Sequence, residues 1–277
     1  MTAKLWASLE IARPHNMAAA MACIAAGFYI AGGERFSQIL LPLLVTGFVA
    51  GCGNMINDYF DADIDAVNKR RRPIPSGRLT LRHVRWLYGV STAAVTAVAV
   101  WALDVPMLLF VLGWEALLFL YGWKFKRLPL AGNVLVAVVA ASAFMAGAVV
   151  AGEPAGAIFP FSFAFFFIMG RELVKGAEDL EGDRLGGART IAVLCGSGPA
   201  LRAAALFLFV CVIAAPVPTL IAVYGRLYCL LMELTVVPGL LLAFWLLQRS
   251  PGRRGLNRIS WVLKGEMFLG ILAMSLA

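Results

Sequence analysis

Apolar residues along this chain neither alternate nor mark one stripe per element; they fill whole runs, broken at intervals by charges and turn residues. Runs near 16–32, 39–60, 83–103, 105–122, 132–151, 156–175, 199–222, 227–247 and 259–276 are each long enough to cross a bilayer as a helix, which takes about 17–25 residues. Lipid leaves every backbone group to be satisfied within its own segment, so such runs read as helices. The pattern predicts an all-α polytopic membrane protein, nine transmembrane helices in one bundle around a central cavity, with residues 1–277 as a single domain. Asp104 and Pro106 alone separate the third run from the fourth. Segment 2–13 places Leu5, Trp6 and Leu9 on one helical face; it reads equally as a short helix lying in the membrane interface or as an extension of the first span.

Composition agrees. With 61% hydrophobic and 14% charged residues the chain is too apolar for a soluble globule, where charged residues approach a quarter of the total. A net charge of +8 would suggest nucleic acid in a soluble protein, but here the 24 Lys and Arg must first be placed relative to the membrane, and no nucleic-acid partner is expected. With the N-terminus cytoplasmic, all of them except Arg35 and Arg226 fall on the inner side, whereas one helix more or fewer would mix the two sides. The inner connections 61–82 and 176–198 are long and the outer loops short, which predicts a functional site opening to the cytoplasm. The five cysteines form no CxxC pair and read as packing residues.

Two acidic clusters carry the chemistry. The second run ends in Asn57-Asp58-Tyr59-Phe60-Asp61-Ala62-Asp63-Ile64-Asp65. On a helix Asn57, Asp61 and Asp65 stack at i, i+4 and i+8 with Asp58 beside them, while Asp63 points the other way. The sixth run ends with Arg171, Glu172, Lys175, Asp179 and Asp183 sharing a face. Carboxylates this crowded at a membrane edge repel one another and need cations. Hard oxygen ligands suit Mg²⁺ completed by water and phosphate, so a diphosphate is the natural third party. Arg72, followed by the turn Pro73-Ile74-Pro75-Ser76-Gly77, offers a guanidinium fork, and Tyr121, Lys124 and Lys126 add a phenol and ammonium groups at the same depth. Glu115, Glu233 and Glu266 are weaker candidates, with Glu266 expected to pair with Lys264; His15 and His83 are expected to have no ligand role.

Asn57-Asp58-x-x-Asp61-x-x-x-Asp65 followed by Arg72-Pro73-Ile74-Pro75-Ser76-Gly77 resembles the first signature of the UbiA superfamily of intramembrane prenyltransferases. Arg171, Glu172, Lys175, Asp179 and Asp183 resemble its second, and Tyr121-x-x-Lys124 its Tyr/Lys element. The resemblance implies Mg²⁺ held by Asn57, Asp61, Asp65, Asp179 and Asp183, bridging to a prenyl diphosphate clamped by Arg72, Lys124 and Lys175. It further implies ionisation of the allylic C–O bond in a dry chamber, with Tyr121 as a candidate cation stabiliser. The strings NDYFDADIDAVNKRRRPIPSGR and YGWKFKRLPLAGN look most like members that build archaeal ether lipids, implying geranylgeranyl transfer to the free hydroxyl of geranylgeranylglyceryl phosphate. The acceptor phosphate would then need a second cationic site, for which Lys69, Arg70, Arg71, Lys126 and Arg127 are candidates. Aromatic or porphyrin acceptors remain an alternative, and from another class a cation transporter, which would instead place acids near the midplane of several helices.

Overall fold

The computed structural model describes residues 2–249 and 251–277, which form helices and connecting turns. Helices α1 (Thr2–Ala12), α2 (Pro14–Ile30), α3 (Phe36–Phe60) and α4 (Ala62–Asn68) come first, followed by α5 (Leu81–Ala102), α6 (Val105–Trp123), α7 (Ala131–Ala151) and α8 (Ile158–Glu178). The short α9 (Leu180–Leu185) and α10 (Ile191–Cys195) lead into α11 (Ser197–Ala214), α12 (Val217–Leu220), α13 (Arg226–Leu231), α14 (Val237–Gln248) and α15 (Arg253–Met274). Among the described residues there is no strand.

Helix boundaries follow local chemistry. Thr80 and Asp104 cap α5 and α6 by accepting hydrogen bonds from the amides of His83 (3.2 Å) and Met107 (3.1 Å). Gly152, at φ 89°, closes α7 in the left-handed conformation that a glycine adopts without strain. Between α13 and α14 the helix widens into a π turn at Met232–Val236, directly before Pro238, whose missing amide hydrogen interrupts the regular ladder. α1 is a separate helix and not an extension of α2, because Arg13 turns the chain with φ 53° and Pro14 opens the next helix. Its inner face, Ala7, Ile11 and Ala12, packs on Met55, Leu79 and Val84, leaving Leu5, Trp6 and Leu9 outward.

Among the described residues seven helical segments are long and apolar enough to cross a membrane: α3, α5, α6, α7, the stretch ending in α8, α11 with α12, and α13 through α14. The first and last predicted spans differ from these for visible reasons. α2 has only 17 residues, and α15 carries Arg253, Arg254, Arg258, Lys264 and Glu266 along its length. Both nevertheless belong to the bundle, α2 against α3 and α7, and α15 against α2, α8 and α14. The first half packs α2, α3, α6 and α7 together; the second packs α8, α11, α14 and α15; α7 against α8 and α15 against α2 join them around a cavity.

The tightest crossing is α2 on α7, where Gly27 lies on the backbone of Phe144 and Gly147 on the backbone of Ile24. Without a hydrophobic driving force between helices in lipid, such close backbone approach supplies dispersion contact that larger residues would forbid. Gly147→Ala is therefore expected to destabilise the protein by about 1–3 kcal/mol, read as a lower unfolding temperature in detergent. An unchanged melt would contradict this close crossing.

Candidate active site

α3 stops at Phe60 and α4 restarts at Ala62, yet the helical register survives the break. The amide of Asp61 bonds the carbonyl of Asn57 (3.0 Å), that of Asp65 the carbonyl of Asp61 (2.8 Å), and that of Lys69 the carbonyl of Asp65 (2.7 Å). Asp58, Asp61 and Asp65 consequently stay on one buried face while Asp63 is exposed. The junction of α8 and α9 repeats the device, with Asp179 bonded to Lys175 (2.8 Å) and Asp183 to Asp179 (3.0 Å) through the backbone. The two junctions meet. α4 packs on α9, where Gly182 leaves room for the Asn68 side chain. Asn68 Nδ2 donates to the carbonyl of Asp179 (3.0 Å) and Lys69 Nζ to Asp179 Oδ2 (2.5 Å).

Crowded acids are balanced by cations of the chain itself. Arg72 Nη1 bridges Asp65 Oδ2 (2.5 Å) and Asp58 Oδ1 (3.1 Å); Arg13 also pairs with Asp58, and Lys126 with Asp61. Burial alone would weaken the charge on Lys126, but Asp61 beside it raises its pKa above the ordinary lysine value. Arg72 is likewise raised, Asp58 and Asp65 outweighing its burial. Asp65 is pushed above the ordinary carboxylate range by burial, against the pull of Arg72. Asp183 takes part in no ion pair among the described residues, and burial, with Asp179 and Asp61 adding to it against Lys126, raises it to about 6. On α8, Glu172 holds Arg171 (3.0 Å) and Lys175 (2.8 Å).

These groups cap a cavity of about 690 Å³ that runs down between the helices. Its wall becomes apolar away from the charges, with Val49, Trp114, Phe144, Phe163, Phe167 and Ile271 among the lining residues. Of the predicted site residues, Asn57, Asp58, Arg72, Tyr121, Lys126, Arg171, Lys175, Asp179 and Asp183 line this cavity. Asp61 and Asp65 do not line it; each is 2% exposed and held by Lys126 or Arg72. Lys124 departs from expectation: it is exposed, is not part of the lining, and Lys126 takes the place at the acids. The reason is local. α6 ends at Trp123, and the 3₁₀ turn Phe125–Arg127 redirects the next side chains. Lys69 lies in the wall, whereas Arg70, Arg71 and Arg127 are exposed. Lys264 and Glu266 do not form the expected ion pair; the Glu266 carboxyl lies against Gly239 of α14. Of the two other weaker candidates, Glu115 accepts from Thr96 (2.8 Å), and neither it nor Glu233 lines this cavity.

Sequence reasoning missed Arg13. It stands alone before the first long run, and its partner Asp58 lies 45 positions away. Its signal is the following Pro14 together with Asn16 and Asn54: Asn54 Nδ2 holds the carbonyl of Ala12 (2.9 Å) and Asn54 Oδ1 accepts from Asn16 (3.2 Å), fixing the unusual backbone at Arg13.

No three carboxylate, His or Cys side chains converge on one point among the described residues, and the acids are paired instead with the chain's own cations. The donor set is nevertheless all oxygen. Asn57 Oδ1 and Asn68 Oδ1 are buried acceptors with no partner, beside Asp61 and Asp179. Orphan oxygens next to carboxyl groups fit a hard divalent cation.

Residues 20–271 match the model of the UbiA prenyltransferase family. The chain belongs to the UbiA prenyltransferase family. It is accordingly an integral membrane protein with the UbiA fold. It is 38% identical to digeranylgeranylglyceryl phosphate synthase from Methanopyrus kandleri over 271 residues, covering 96% of this chain and 97% of that one. It is 34% identical to the protein of the same name from Thermococcus kodakarensis, over 98% and 97% of the two chains. A solved structure from work on digeranylgeranylglyceryl phosphate synthase in membranes superposes with TM-score 0.75 at 27% identity, covering 98% of this chain and 97% of that chain. A UbiA homolog from Archaeoglobus fulgidus bound to GPP and Mg²⁺ shares the fold, with TM-score 0.70 at 20% identity over 97% and 99%.

For this UbiA chain, Arg13→Ala is expected to cost on the order of 1–3 kcal/mol of stability, since buried Asp58 would keep only one cationic partner. Thermal unfolding in detergent measures it, and a melt equal to wild type would contradict the role given to Arg13.

Proposed function

We propose that the chain is a Mg²⁺-dependent digeranylgeranylglyceryl phosphate synthase. On this reading it transfers a geranylgeranyl group from its diphosphate to the free hydroxyl of geranylgeranylglyceryl phosphate. The observation that carries the prenyl-transfer part is the meeting of the Asp61 and Asp179 helix junctions above one deep apolar cavity. The acceptor is supported by the shared name of relatives aligned over nearly the whole chain.

Asn57, Asp61, Asp65, Asp179 and Asp183 would hold Mg²⁺, with Asp58 supporting them. When bound, Mg²⁺ supplies positive charge that neutralises the departing diphosphate. Arg72, Lys126, Lys69 and Lys175, now committed to acids, are the groups that turn to diphosphate oxygens once the acids have another counter-charge. Tyr121 lines the same cavity as Lys126 and would stabilise the carbon that loses its leaving group, and Phe163, Phe167 and Trp114 would keep water from the greasy chain. The donor C–O bond breaks, an ether bond forms to the acceptor oxygen, and the hydroxyl proton passes to the departing diphosphate, so no strong protein base is needed.

The positive-charge bias supports nine spans in one domain of residues 1–277, the N-terminus cytoplasmic and the polar end of the cavity open to the cytoplasm. α2 and α15 are the two spans beyond the seven apolar ones, and their packing into the ring around the cavity favours counting them.

Purified protein given geranylgeranyl diphosphate, geranylgeranylglyceryl phosphate and Mg²⁺ is expected to release diphosphate and form the double ether. Chelation of Mg²⁺ should stop turnover reversibly. Asp61→Ala and Asp183→Ala should each lower kcat by about a hundredfold to a thousandfold, the scale of losing preorganised charge stabilisation. Wild-type protein that folds but releases no diphosphate, or full activity in both variants, would refute the reading.

A further inference from the structure

The cavity has a second charged wall that the diphosphate chemistry leaves unused. His15 near the start of α2, Arg171 on α8 and Lys264 on α15 all line it, and α15 packs against both α2 and α8. We propose that His15, Arg171 and Lys264 form the subsite for the acceptor's phosphomonoester, a reading that rests on the acceptor class assigned above.

Three features suit this wall to the acceptor's phosphate. First, the cations there are not consumed by aspartates. Lys69, Arg72 and Lys126 each pair with an Asp, whereas no carboxylate pairs with His15 or Lys264 among the described residues. Of the glutamates lining the cavity, Glu10 pairs with Arg78, Glu172 with Arg171 and Lys175, and Glu178 accepts from Asn257 and Ser260, while the Glu266 carboxyl lies against Gly239. Lys264 without a carboxylate partner, beside the Arg171 guanidinium and the His15 ring N–H, calls for an anion that brings no metal, while the aspartate wall calls for one that does. The two anionic groups of this reaction divide in that way, phosphomonoester on one side and Mg²⁺-bound diphosphate on the other.

Second, the wall lies at a mouth. Trp261 lines the cavity and is 64% exposed, so the opening runs beside α15, with Lys264 Nζ 5.2 Å from the Trp261 ring. An aromatic ring and an ammonium at such a rim suit an amphiphile whose chain lies in lipid and whose head enters at headgroup depth. Third, the walls adjoin. Arg171 pairs with Glu172, which also holds Lys175 of the diphosphate clamp, and Arg13 beside His15 pairs with Asp58. Glycerol is short, so a phosphate fixed on His15 and Lys264 leaves the neighbouring free hydroxyl little distance to cover to the ionising carbon.

The test compares wild type, Lys264→Gln, His15→Gln and the conservative Lys264→Arg, with phosphorylated and dephosphorylated acceptor, geranylgeranylglycerol. Assays run in neutral detergent and in vesicles containing anionic lipid. In neutral detergent, Lys264→Gln and His15→Gln should each raise KM for geranylgeranylglyceryl phosphate about tenfold to a hundredfold, the loss of one charge-assisted hydrogen bond, with Lys264→Arg largely restoring it. KM for geranylgeranyl diphosphate should move less than about twofold, well under the tenfold that 1.4 kcal/mol represents, which also reports an intact fold. Geranylgeranylglycerol should react equally with wild type and both Gln variants. An unchanged acceptor KM, equal losses for donor and acceptor, or undiminished preference for the phosphorylated acceptor would overturn the subsite. An effect seen only with anionic lipid would overturn it too, by assigning these residues to bulk headgroups. Wild type that turns over no geranylgeranylglyceryl phosphate would instead sink the acceptor assignment above.

Discussion

Carboxylates buried at one end of an apolar bundle are the constraint on which the rest of this structure depends. Asp58, Asp61, Asp65 and Asp183 are all nearly inaccessible, and Asp179 completes the group. Ionised acids out of water are costly unless each meets a cation in good geometry. The chain answers with Arg13, Lys69, Arg72 and Lys126, drawn from three separate places in the sequence. Lys69 has a further consequence, because its bond to Asp179 ties the first half of the bundle to the second. The acid cluster therefore closes the fold over the cavity as well as furnishing the site.

Such an arrangement is poised for exchange. Each acid–cation pair is one that an incoming divalent cation and diphosphate can replace, acid to metal and ammonium or guanidinium to phosphate. Burial of Asp183, which raises its carboxyl to about 6 with no paired cation of its own, shows where the chain's own charges fall short. Below this polar cap the wall turns apolar and aromatic, so a diphosphate held by the acids would place its reacting carbon at the boundary between a highly charged and a dry environment. Ionisation needs the first and survival of the cation the second.

Much of this was legible in the sequence, and the failures have physical causes. The helices could be read because lipid demands long uninterrupted apolar runs; their number was harder, since α2 is short and α15 carries charge that its position beside the cavity tolerates. The face shared by Asp58, Asp61 and Asp65 and the outward turn of Asp63 followed from helical geometry, which survives the break at Asp61 because the backbone bonds run through it. Lys124 was singled out by its resemblance to a Tyr/Lys element, and no local pattern tells it from Lys126, because the 3₁₀ turn after Trp123 decides which of the two reaches the acids. Arg13, and the pairing that Lys264 and Glu266 lack, depend on contacts between distant helices, which no local pattern encodes.

The central claim is that both helix junctions grip the same metal-charged diphosphate. A double-mutant cycle on geranylgeranyl diphosphate binding in Mg²⁺, using calorimetry on wild type, Asp61→Asn, Asp179→Asn and the double variant, tests it most directly. The expected result is strong coupling, the double variant losing less than the two single losses combined by about 1–3 kcal/mol. Losses that add to within about 0.5 kcal/mol would mean two independent sites and would contradict the claim.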